Sequence, residues 1–130
     1  MNKHLSIIFV MLFAASCGDN EIANQEPSFG FQKDRIVRVN EGSTDIGNFQ
    51  ATDADGDEII YSISNLDMSI TQDGLVTFNI IPDFEIESVY SATIVASNDG
   101  GSDEINLTVY INDSDCEFDT AAAFNLCFFH

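Results

Sequence analysis

The stretch Asn40–Ile63, NEGSTDIGNFQATDADGDEIIYSI, decides how the rest of the chain is read. Two runs of β-forming residues flank an acidic corner, Asp53-Ala54-Asp55-Gly56-Asp57-Glu58. In the first run Ile46, Phe49 and Ala51 break strict alternation by one residue beside Gly47, and a Gly inside a strand pattern commonly marks a bulge. In the second, Ile59, Tyr61 and Ile63 alternate with Ile60, Ser62 and Ser64, the period-two pattern of a half-buried strand. The corner sets carboxylates at alternate positions beside a Gly. Such a loop turns several oxygens toward one hard cation, and Ca²⁺ takes roughly six to eight of them. It is not an EF-hand loop, because its Gly stands about two positions too early and no Glu follows at the closing position. The competing reading is an acidic turn that only joins two strands.

On both sides of this stretch period two recurs. Val37 and Val39 alternate with Arg38 on the N-terminal side. Within Asn65–Thr71, Leu66, Met68 and Ile70 fit a short strand, and Gln72-Asp73-Gly74 reads as a turn. Val76, Phe78 and Ile80 alternate next, then Tyr90, Ala92, Ile94 and Ala96, then Ile105, Leu107, Val109 and Ile111. Seven short strands separated by turn signals at this spacing predict an all-β fold, a Greek-key immunoglobulin-like sandwich. Tyr61, Phe78, Tyr90, Ile94, Leu107 and Val109 are expected to face inward, and no helix is expected.

The order of short motifs resembles a cadherin-like repeat of the bacterial type. Val39-Asn40-Glu41-Gly42 is similar to the family's V-x-E-N or V-N-E motif, and Ala51-Thr52-Asp53-Ala54-Asp55-Gly56-Asp57 to its A-x-D-x-D-G corner. Gly74-Leu75-Val76-Thr77-Phe78 resembles G-x-[IVL]-T-[FL], and Pro82-Asp83-Phe84-Glu85 resembles P-D-[YF]-E. Ile94-Val95-Ala96-Ser97-Asn98-Asp99-Gly100 is similar to V-x-A-x-D-x-G, with Asn98 where Asp is usual. Ile111-Asn112-Asp113-Ser114-Asp115 resembles the closing D-x-N-D in either of two registers, each of which leaves it one oxygen ligand short. The resemblance covers residues 28–115 in order, as one module. It implies Ca²⁺ at the ends of the sandwich, where consecutive repeats of the family meet. Glu41, Asp83, Glu85 and Asp113 are the implied ligands of one end, Asp53 and Asp55 those of the other. With one module, each end is a half site, and binding is expected in the weak range of extracellular modules, about 10⁻⁴–10⁻³ M.

The flanks read differently. Residues 1–16 have a short positive start at Lys3 and an apolar run, Leu5–Ala15, too short to span a bilayer. The run closes on Ala14-Ala15-Ser16-Cys17, which resembles a lipobox although Ala stands where Leu is usual. Cys17 is then the lipidated first residue of the mature chain, anchored in a bacterial membrane. A secretory signal cut near the same place is the alternative. Residues 17–27 read as a flexible acidic tether. Residues 116–130 form a short tail, largely apolar from Ala121 to Phe129, of the kind left where a chain stops past a domain boundary. In it, Cys116 and Cys127 either pair in an oxidising compartment or stand as free thiols.

Composition narrows the function. The formal net charge is −18, which leaves nothing to replace the counterions of a nucleic acid and opposes docking on an anionic membrane surface. The two histidines, His4 and His130, stand near the chain ends, and neither a phosphate-binding Gly-rich loop nor a nucleophile elbow is present, so no enzyme is expected. The expectation is a lipid-anchored protein of the bacterial outer membrane or cell surface, serving adhesion or protein interaction through one Ca²⁺-binding module. The partner, a protein or a glycan, is not named by the sequence. Two alternatives are a glycan-binding accessory lipoprotein and the truncated anchoring stub of a longer adhesin or exoenzyme.

Overall fold

The structure, a computed structural model, describes residues 23–114. Seven strands run in chain order: β1 (Asp34–Asn40), β2 (Asp45–Asn48), β3 (Ile60–Ile63), β4 (Met68–Ile70), β5 (Leu75–Phe78), β6 (Val89–Asn98) and β7 (Gly101–Asn112). They form a four-stranded sheet, β1-β7-β6-β3, packed on a three-stranded sheet, β2-β5-β4. The chain steps between the sheets after β1, β2, β3 and β5. No helix is present among the described residues. This is the all-β immunoglobulin-like sandwich that the alternation predicts.

The two longest alternating runs build its centre. β6 and β7 pair antiparallel from Val89↔Tyr110 to Asn98↔Gly101, which sets Tyr90, Ala92, Ile94 and Ala96 on the same face as Ile105, Leu107, Val109 and Ile111. All eight are buried, and Ile94, Ala96 and Val109 are fully enclosed. β1 adds to β7 in parallel, with Val37 opposite Val109 and Val39 opposite Ile111. From the other sheet, Val76 and Phe78 of β5 and Met68 of β4 meet this face. Phe78 stacks edge-to-face on Tyr90 across the two sheets, centroids 4.8 Å apart. Such a geometry adds about 0.5–1.5 kcal/mol to the area the rings bury. Tyr61 is half-buried against the core, and its hydroxyl accepts a hydrogen bond from Ala51 N at 2.9 Å. All six residues expected to face inward therefore pack in or on the core.

Three local readings are refined. The irregularity at Gly47 is a register shift between Asp45 and Gly47 in the β2–β5 pair, as the broken alternation suggests. The strand ends at Asn48, however, and Phe49 and Ala51 are buried from an extended segment that crosses between the sheets. Of the Leu66, Met68, Ile70 run, only Met68–Ile70 is strand, while Leu66 is exposed. The turn Gln72-Asp73-Gly74 depends on its glycine. Gly74 has φ +79°, and a Cβ there would lie 2.9 Å from the Phe49 carbonyl oxygen, so any other residue is both strained and crowded.

Candidate calcium end of the sandwich

The end of the sandwich where β1 and β7 finish gathers three carboxylates from distant parts of the chain. Glu41 follows β1, Asp113 follows β7, and Glu85 lies in the loop between β5 and β6. One oxygen from each lies within 4.8 Å of the others. Parallel pairing brings the first two together, because Asn40 and Asn112 are register partners and each acidic residue is the next one along. The Glu41 amide donates to the Asn112 carbonyl at 3.0 Å, closing that corner.

Glu41 is held in place by the backbone around it. Its Oε1 accepts from Ser114 N at 2.9 Å and from Ser114 Oγ at 2.7 Å, and its Oε2 accepts from Phe84 N at 3.3 Å. The carboxylate is thus preoriented by donors from both neighbouring loops. Asp83 has another task. Its Oδ1 accepts from Glu85 N at 3.0 Å and Ile86 N at 3.2 Å, and its carbonyl accepts from Ile86 N and Glu87 N. Phe84–Ile86 is therefore a turn capped by the Asp83 side chain. Asp83 folds the loop that presents Glu85, and it does not belong to the three-carboxylate group.

Electrostatics strain this end. The Glu85 backbone N–H favours its carboxylate, but desolvation, the charges of Glu41 and Asp83, and a side-chain hydrogen bond with Asp83 outweigh that and raise its pKa above the usual glutamate value. Ca²⁺–O distances are about 2.3–2.6 Å, so two oxygens on opposite sides of one ion lie roughly 4.6–5.2 Å apart. The observed grouping fits that span, and a cation there would offset the Glu41 and Asp83 charges that, after desolvation, raise Glu85. Three carboxylates fill part of a shell of roughly six to eight oxygens.

At the opposite end the acidic corner is engaged by the chain itself. Asp53 Oδ1 accepts from Asp55 N at 2.9 Å and Asp57 N at 3.0 Å, and its Oδ2 accepts from Asn98 Nδ2 at 2.8 Å. Led by the Asp57 amide, these bonds outweigh desolvation and lower its pKa. Asp55 Oδ2 accepts from Gln25 N at 2.7 Å, while Asn98 Nδ2 also donates to the Gln25 carbonyl at 3.0 Å. Residues 24–28 cross this end. Pro27 is fully buried and Ser28 pairs with Thr52. Gly100 permits the crossing, since a Cβ on it would stand 2.4 Å from the Gln25 carbonyl oxygen. Asp53 and Asp55 thus shape a turn and hold an N-terminal segment. Among the described residues, only Glu41, Glu85 and Asp113 form a group of three acidic, His or Cys ligands close enough for one ion.

Two kinds of residue escaped the sequence reading. Gln25 acts through its backbone N–H and carbonyl, and Ser114 through its N–H and hydroxyl across 73 positions, which local pattern does not reveal. The Asp83 cap was legible in principle, as an Asp before an acidic turn after Pro82. Cys17, Cys116 and Cys127 lie outside the described residues, as do the signal and tail readings.

The fold is cadherin-like. Solved structures that resemble it include chicken VE-cadherin EC1-2, at a TM-score of 0.59 and 21% identity over 71% of this chain and 53% of that one. Drosophila N-cadherin EC1-3 matches at 0.57 and 23% identity, covering 70% of this chain and 34% of that one. Human protocadherin-24 EC1-2 matches at 0.55 and 19%, covering 68% and 44% respectively. The chain thus spans about half or less of the length of these structures. No protein-family model and no curated protein sequence matches it.

Proposed function

We propose that the chain is a surface-displayed interaction module that uses one cadherin-like sandwich, holds Ca²⁺ at its Glu41–Glu85–Asp113 end, and serves adhesion. The observation that carries this reading is the convergence of three carboxylate oxygens within 4.8 Å at one end, in a fold shared with cadherin extracellular domains. Ca²⁺ at that end neutralises the mutual repulsion of the three side chains and fixes the loops after β1, β5 and β7 relative to one another. Glu41, Glu85 and Asp113 supply the protein's charged ligands, and the ion's remaining positions fall to water or to oxygen groups of a partner. A site left open in this way joins two surfaces through the metal. Asp83 supports it by folding the loop that carries Glu85.

Display fits the same picture. Residues 24–28 cross the Asp53–Asp55 end, opposite the Glu41–Glu85–Asp113 end, which supports a reading in which a lipid on Cys17 tethers the sandwich from that side. Bacterial cells displaying the chain are expected to adhere to one another or to a substratum in millimolar Ca²⁺ and to release on chelation. Cells displaying the Glu41→Gln, Glu85→Gln variant at equal surface level are expected to lose the Ca²⁺-dependent part. Equal adherence of the two, with and without chelator, would reject the reading.

A further inference from the structure

A groove beside the carboxylate end is apolar and lies open. Its floor is the buried Phe78–Tyr90 ring pair, and its walls are Ile80, Ile81 and Ile86, which are 73, 62 and 82% exposed. Its volume is about 220 Å³. Three large exposed isoleucines around one cavity are more apolar surface than the scattered singles of an ordinary exterior, and a cluster of this kind marks a docking site. Its rim carries Asp67, Asp83 and Glu87.

The chain leaves the described fold next to this groove. Ser114 is pinned to Glu41 through N and Oγ, Glu41 in turn accepts from Phe84 N, and Gly42 N donates to the Pro82 carbonyl at 3.4 Å. These contacts place the exit point against the loop 81–86 that forms the groove wall. Beyond Ser114 the sequence runs Asp-Cys-Glu-Phe-Asp-Thr and then Ala-Ala-Ala-Phe-Asn-Leu-Cys-Phe-Phe, residues 121–129. The six intervening residues can reach about 20 Å when extended, enough to bring Ala121 onward over the groove.

We infer that residues 121–129 dock into the groove formed by Phe78, Ile80, Ile81, Ile86 and Tyr90, covering the isoleucines with Phe124, Leu126 and Phe128. Charge selects this occupant over a second copy. Residues 121–129 carry no ionisable acid or base apart from Cys127 and so bring no like charge to a rim of three carboxylates. A second molecule brings a net charge of −18 to the same rim. Covalent attachment at this distance also gives the segment an effective concentration in about the millimolar range, which favours it over any free competitor of similar surface. The inference does not depend on Ca²⁺ at the neighbouring end.

Hydrogen exchange read by mass spectrometry tests this on the full chain, kept soluble in a low concentration of non-ionic detergent. If the segment is docked about nine-tenths of the time, amides of residues 80–88 exchange about tenfold more slowly than in the Phe124→Asp, Phe128→Asp variant. Ile86→Asp, at an exposed position, is expected to speed exchange in both 80–88 and 121–129. Ile60→Asp, also at an exposed position, on the β3 edge, leaves both unchanged, and constant exchange in β6 and β7 reports that every variant is folded. Equal exchange of 80–88 in the wild type and the tail variant would overturn the inference. So would protection that grows with protein concentration, the mark of a second copy, and so would protection of 121–129 without any in 80–88, the mark of a segment covered by detergent.

Discussion

Ser114 donates both its backbone N–H and its hydroxyl to the same oxygen of Glu41, at 2.9 and 2.7 Å, across 73 positions of sequence. This contact staples the end of the last strand to the end of the first and aims one carboxylate of the three-member group. Replacing Glu41 by Ala removes those acceptors and the one facing Phe84, at a cost of about 1–2 kcal/mol in urea unfolding with chelator present. Glu41→Gln keeps an acceptor and removes the repulsion with Glu85 and Asp113, so under the same conditions it is expected to lie within about 0.5 kcal/mol of wild type. Equal destabilisation by the two variants would show that the charge, and not the acceptor, secures Ser114.

The core makes a second demand. Phe78 is buried, stacks on Tyr90 and closes the floor of the groove, so Phe78→Ala is expected to cost about 3–5 kcal/mol. In a sandwich of this size that removes most of the stability, and circular dichroism at 25 °C should show the β signal lost or the melting midpoint sharply lowered.

Acid should act in two stages of opposite sign. Glu85 has a folded pKa raised above its ordinary 4.5, with desolvation and the charges of Glu41 and Asp83 overcoming its own favourable backbone bond. Its native state therefore binds the proton more readily, and stability rises as pH falls from neutral through that raised value. Asp53 is lowered from 3.8, chiefly by the Asp57 amide. Asp103 is lowered too, since the Lys33 ion pair and the Phe29 and Glu104 amides overcome the desolvation that opposes them. Their contribution is present above the ordinary value near 3.8 and is lost as pH falls through the lower folded values. Chelated protein should thus be most stable between the two regions, and Glu85→Gln should flatten the rise without moving the acid loss. A melting temperature that falls steadily from pH 7 downward would contradict this.

How much the sequence reveals depends on the range of the interaction. The runs Tyr90–Ala96 and Ile105–Ile111 alternate cleanly because each strand buries one face, and their pairing follows. Phe49 and Ala51 look like the same strand as Ile46 because both are buried and Phe49 N still donates to the Gly74 carbonyl, although β2 ends at Asn48. Motif order placed Glu41, Glu85 and Asp113 at one end, together with Asp83; Glu41 and Asp113 follow the ends of β1 and β7, and Glu85 lies in the loop after β5. The separate roles of Asp83 and of Asp53 with Asp55 were not legible, because an acidic residue reads alike whether it faces an ion or caps a turn. Ile80 continues the Val76–Phe78 alternation in sequence, but β5 ends at Phe78 and Ile80 is exposed, while Ile81 and Ile86 follow no period, so the groove they wall appears only once the loop is folded.

Anchoring rests on the A-A-S-C junction at Cys17. The mature chain is expected to begin at Cys17 carrying lipid, and Cys17→Ser is expected to move it from the membrane to the soluble fraction. Mass spectrometry of the N-terminus decides it, with an unmodified start at another residue as the contrary result.

If Ca²⁺ binds the folded domain through Glu41, Glu85 and Asp113, thermal melting with and without the ion reads it out. A ligand that binds only the native state at tenfold excess over Kd stabilises by about 1.4 kcal/mol. For a domain of this size that is a rise of roughly 6–11 °C in melting temperature at millimolar Ca²⁺, absent with Na⁺ at equal ionic strength. The rise should vanish in Glu41→Gln, Glu85→Gln and persist in Asp53→Asn, Asp55→Asn. A melting temperature indifferent to millimolar Ca²⁺, or a rise abolished only by the Asp53 and Asp55 changes, would contradict the account.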